Sequence, residues 1–114
     1  MIEERLYTLL NDLVDGRMYP SVAPGTVSKP YVVYTGIAST PEVTLESTEP
    51  INNARMQIDC YDNGFMNVQT LSQSIRAAMR GWSVQNVPLL VQNGYDTDAN
   101  LHRVTLDYSI WYHD

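Results

Sequence analysis

Apolar residues near the start of the chain recur every three or four positions. Ile2, Leu6, Leu9, Leu10, Leu13 and Val14 follow helical spacing, and Glu3 and Glu4 fall in the first turn, where the helix dipole favours acids. Gly16 supplies a left-handed stop, so the pattern predicts a helix over residues 2–14. From Arg17 to Lys29 the period is lost and Pro20, Pro24 and Gly25 intervene, which predicts an irregular surface connection. Residues 31–37 are β-branched or aromatic apart from Gly36, the composition of a strand, and Pro30 can begin one. A long loop then runs from Ser39 to Asn53; loops of that length are usually functional, and Glu42, Thr44 and Glu46 within it are candidate contact residues.

Residues 54–61 alternate cleanly. Met56, Ile58 and Cys60 share one face of the predicted strand, and Arg55, Gln57 and Asp59 the other. Helical spacing returns over 65–80, where Val68, Leu71, Ile75, Ala78, Met79 and Trp82 make one stripe, with Asp62 or Asn63 as the expected cap and Arg76 and Arg80 towards the last turn. The run Val87, Leu89, Leu90 and Val91 predicts a short strand, and Asn93 to Asn100 a long turn. The final strand, 102–112, places Val104, Leu106, Tyr108, Ile110 and Tyr112 inward, with Arg103, Thr105, Asp107 and Ser109 outward. The order is helix, strand, strand, helix, strand, strand. The expectation is a single α+β domain over 1–114, a four-stranded, mainly antiparallel sheet with two helices packed on one face.

Charge and composition narrow the function. Seven basic against thirteen acidic residues give a net charge of -6, which lacks the positive field that phosphate binding needs. The acidic start does not resemble a secretory signal, no window approaches a bilayer-spanning apolar run, and Cys60 alone cannot form an internal disulfide. A protein made and kept in the cytoplasm is expected.

Candidate chemistry is sparse. No Gly-x-Ser-x-Gly string occurs, and His102 and His113 lie in the last strand and at the chain end, so a hydrolytic nucleophile and base are not indicated. The glycines form no phosphate cradle, and Cys60 with the histidines lacks zinc-site spacing. Asp96-x-Asp98-x-Asn100 imitates part of a calcium loop, but Leu101 stands where the sharp turn needs glycine. Asp59 and Asp107 share a predicted sheet face with Arg55 and Arg103, and cross-strand ion pairs account for them better than acid-base catalysis does. No enzyme, cofactor or metal is therefore expected, and Arg55, Asp59, Arg103 and Asp107 are read as a contact surface.

Two features favour self-association. Tyr7, Leu10 and Val14 lie around the first helix from its other apolar residues, beyond what one sheet covers, and Trp111 points away from the core side of the last strand.

Across these elements the chain resembles small phage tail-completion or tail-terminator proteins. The likeness rests on Gly-Arg-Met-Tyr-Pro at 16–20, Ala-Pro at 23–24, Pro-Tyr-Val-Val-Tyr at 30–34 and Thr-Pro-Glu at 40–42. It continues with Gln-Ile-Asp-Cys-Tyr at 57–61, Ile-Arg-Ala-Ala-Met at 75–79 and Leu-Asp-Tyr-Ser-Ile-Trp-Tyr at 106–112. The resemblance implies a virion subunit forming a ring, commonly a hexamer, on the head-proximal end of the tail tube. Such a ring stops tube growth and offers a docking face to the head connector, while DNA passes through its lumen without specific binding. A head-closure (connector) subunit and a monomeric ligand-binding domain are the alternatives. An acidic chain suits such a pore, since its wall would repel phosphates.

Overall fold

In the computed structural model, which describes residues 1–41 and 51–113, the helical opening is confirmed and divided. An α-helix, α1 (Ile2–Leu10), tightens into a 3-10 turn at Asn11–Val14, and Asp15 and Gly16 leave it at φ 51° and 80°. Strands β1 (Met18–Pro20), β2 (Tyr31–Pro41) and β3 (Asn52–Asp62) follow, then α2 (Phe65–Gly81) and the strands β4 (Gln85–Asp96) and β5 (Leu101–Tyr112).

The sheet has five strands in the order β1-β2-β3-β5-β4, one more than the sequence pattern predicts. The addition is β1, which pairs parallel with β2 from Met18 opposite Val32 to Pro20 opposite Tyr34. Three residues carry too little alternation to announce a strand. The pairing is pinned by Val32 N–H donating to the Arg17 carbonyl and Ser21 N–H to that of Tyr34, both at 2.9 Å. All other neighbours are antiparallel, so the sheet is mixed.

Both helices cover one face. Ile2, Leu6, Leu10 and Val14 from the first helical segment and Val68, Leu71, Ile75 and Met79 from α2 share a core with Met56, Ile58 and Cys60 of β3 and Val104, Leu106, Tyr108 and Ile110 of β5. The strand alternation read from the sequence therefore holds. Three local expectations do not. The loop expected from Ser39 to Asn53 is shorter at both ends, because β2 runs to Pro41 and β3 begins at Asn52, with Ser39 opposite Ala54 and Pro41 opposite Asn52. The backbone of Gly64 precedes α2 without a side-chain cap, because the Asp62 carboxylate accepts the Asn63 N–H at 2.7 Å instead. And β4 continues through Asn93 and Gly94 to Asp96, leaving a turn of only Thr97–Asn100. No helix among the described residues is long and apolar enough to cross a membrane.

Candidate functional site

The sheet face away from the helices is polar, and its centre is built by β3 and β5. Their register sets Gln57 opposite Asp107, Asp59 opposite Thr105 and Tyr61 opposite Arg103. Arg55 reaches diagonally to Asp107, Nη2 to Oδ2, at 3.0 Å. Of the expected cross-strand ion pairs this one is formed, with the carboxylate almost fully buried and the guanidinium about half exposed, whereas Asp59 takes neutral donors. Asp59 accepts hydrogen bonds from Gln57 Nε2 at 2.9 Å and from the Thr105 hydroxyl. Asn53 Nδ2 continues the row to Ser109 Oγ at 2.8 Å.

Arg103 lies flat across the neighbouring strand at Gly94. A Cβ at Gly94 would sit 2.6 Å from Arg103 Nη2, so glycine is what permits the approach. Tyr61 stands opposite Arg103 in the register, and its ring stacks on Tyr31 at 4.9 Å between centroids. Burial, then the Asp59 carboxylate, raises the Tyr61 hydroxyl above its ordinary pKa, with Arg103 opposing. Arg103 Nε and Asp107 Oδ1 are the buried side-chain atoms left without a hydrogen-bond partner among the described residues.

None of these groups is arranged as a nucleophile with its base. His102 is wedged edge-on between Phe65 and Tyr95, at 5.8 and 4.9 Å between centroids. The Asp96 carboxylate accepts the N–H groups of Asp98 and Ala99, so the acids that imitated a calcium loop serve a turn. Cys60 has no exposed surface, and burial first, then Asp59, pushes its thiol well above the ordinary range. Thiol labelling is expected to run at least about a hundredfold slower on the native protein than after denaturation. Equal rates would mean that β3 opens freely.

The residues proposed from sequence as contact surfaces are distributed differently from expectation. Leu10 and Val14 are 1% exposed and belong to this subunit's own core. Leu10 stands four residues after Leu6 and eight after Ile2, on their own stripe of α1; Val14 is turned inward because beyond Leu10 the backbone is a 3-10 turn, and Leu13, grouped with the inward stripe, is 39% exposed instead. Tyr7 packs partly against the core. Trp111 is half-buried, between Asn53 and Gln85 in the sheet register, in a shallow depression shared with Arg5, Ile51 and Val84. Glu42, Thr44 and Glu46 lie outside the described residues.

The exposed apolar surface that sequence reasoning missed is on β4. Val87, Leu89, Leu90, Val91 and Tyr95 are all between 43% and 49% exposed, and Phe65, which meets His102 beside Tyr95, is exposed as well. Sequence does contain the signal. The run Val87-Pro88-Leu89-Leu90-Val91 does not alternate, which ordinarily marks a strand covered on both faces. Here β4 is the last strand of the sheet, and a bulge between Pro88 and Leu90 adds a residue to it.

Comparison with solved structures places the same fold in a component of a phage-like particle, described as "Virion of native gene transfer agent (GTA) particle". The likeness has a TM-score of 0.65 at 17% identity and covers 96% of this chain and 92% of that one, which establishes shared architecture. A comparison with curated proteins gives no match. The family model described as "Tail completion protein gp17" matches residues 6–113, from α1 to the residue after β5. A match over nearly the whole length, on elements in the order that the family resemblance implied, makes this chain a member of the tail completion protein gp17 family.

Proposed function

We propose that the protein is a non-enzymatic structural subunit of a phage-like tail, and that its copies form a ring, of six by the family resemblance, on the head-proximal end of the tail tube. The ring would end tube growth and present a docking face to the head connector. The observation that carries this reading is an apolar patch centred on an edge strand, left uncovered in a small domain whose family is named for completing tails. Monomeric soluble proteins seldom leave so many large apolar side chains together on one edge strand open unless another surface covers them. DNA would pass without being held. The described polar face offers Arg55 and Arg103 against Asp59 and Asp107, a balanced set and not a basic track, and the whole chain carries -6. Assembly would take place in the host cytoplasm, with the product in the virion.

The test is tube polymerisation. Added in small amounts to polymerising tail-tube protein, this protein is expected to shorten the tubes and to be found at one end of each. Tubes of unchanged length, with the protein remaining monomeric beside them, would refute the assignment.

A further inference from the structure

The described part of the sheet is open on two sides that differ from each other. On one side β4 offers its outer backbone along twelve residues, with Pro88 and the following bulge as its main interruptions. On the other, β1 covers only Val32–Tyr34 of β2, so the stretch from Thr35 to Ser39 has β3 on one side and no strand on the other among the described residues. Ile37 stands out of that stretch, 45% exposed, at a second bulge. Open edges pair readily with other strands, and charge is one of the usual deterrents. Neither stretch has it. Thr-Gly-Ile-Ala-Ser at 35–39 and Val-Pro-Leu-Leu-Val-Gln-Asn at 87–93 contain no ionisable side chain, in a chain whose net charge of -6 otherwise keeps copies apart.

Direction completes the argument. Each step from β2 to β3 to β5 to β4 is antiparallel, so β2 and β4 run in opposite directions. A second copy rotated about an axis along the strands keeps its strand directions and presents its β2 antiparallel to β4 of the first, the commoner kind of pairing. We propose that copies of this chain join edge to edge in this way, β4 of one subunit pairing with the Thr35–Ser39 stretch of the next. The contact joins unlike patches, so it repeats around a ring, and closure covers the Thr35–Ser39 stretch in every copy along with part of β4. A two-fold pairing of β4 with β4 would leave the β2 stretch uncovered in every copy. The inference rests on the ring reading above and specifies its joint.

Hydrogen exchange on the assembled full chain and on the dilute monomer tests it without any substitution. Amides in both β4 and Thr35–Ser39 are expected to slow by about tenfold or more on assembly. Protection of β4 alone would show the two-fold pairing, and protection of neither would show that other surfaces join the ring; either overturns the proposal. The Leu90→Lys, Val91→Lys double variant is expected to keep the monomer's circular dichroism, since both side chains are already more than 40% exposed, and to weaken assembly by about a hundredfold. If that variant folds and assembles as the unsubstituted protein does, the edge joint is wrong while tube capping stands. If the unsubstituted protein forms no ring even at tube ends, the ring reading itself fails and the joint goes with it.

Discussion

Replacing Leu10 by alanine is expected to lower the stability of the subunit by about 3 kcal/mol, within the usual range for a leucine truncated in a packed core. For a chain of this size that corresponds to a fall in melting temperature of about 10 °C. The side chain is 1% exposed and shares the core with Leu6 and Ile75, so the loss is a cavity and not a missing partner contact. Leu13, three residues on and 39% exposed, provides the contrast: Leu13→Ala is expected to change stability by less than about 0.5 kcal/mol. Chemical denaturation of the two variants measures both. If Leu10→Ala were neutral for folding and harmful only to assembly, α1 would have to present that residue to another subunit.

Arg55→Met is expected to destabilise by about 2 kcal/mol. The Asp107 carboxylate has a side chain only 6% exposed, and its Oδ1 already lacks a partner, so removing the Arg55 bond to Oδ2 strands a buried charge. The figure is kept below that for a fully buried pair because Arg55 is 48% exposed and water screens it. The double variant Arg55→Met, Asp107→Leu is expected to regain most of the loss, since it removes the charge along with its partner. Urea titrations of the two singles and the double form the cycle that decides this. A single variant as stable as the unsubstituted protein would show that the pair contributes nothing.

Much of this molecule can be read from residue patterns, and what escapes has a physical reason in each case. The faces of β3 and β5 were legible because strict alternation over a whole strand admits only one inward set, and the Arg55–Asp107 pair followed from it. The stripe of α2 was legible for the corresponding reason at helical period, with Val68, Leu71, Ile75 and Met79 all buried. Strand β1 escaped because three residues held by a parallel neighbour have no pattern of their own. The length of β4 escaped because Asn93-Gly94 reads as a turn, whereas Gly94 stays in the strand, opposite Arg103, with the guanidinium close over its backbone. The apolar patch on β4 escaped for a wider reason. Whether Leu90 meets water depends on β4 being outermost, next to β5 and not between two strands, and spatial order is decided by the whole chain.

The polar row on the sheet also governs how the chain finds its pairing. Shifting β3 by a single residue along β5 would turn Arg55, Gln57 and Asp59 towards the helices and expel Met56, Ile58 and Cys60 into water. Two charges entering the apolar interior, together with three lost hydrophobic anchors, make that slip far more unfavourable than an all-apolar strand would find it. The charged and amide side chains of this row thus act as a proofreading device: whatever their bonds contribute to the native state, burying them in any one-residue slip raises the misaligned states well above it.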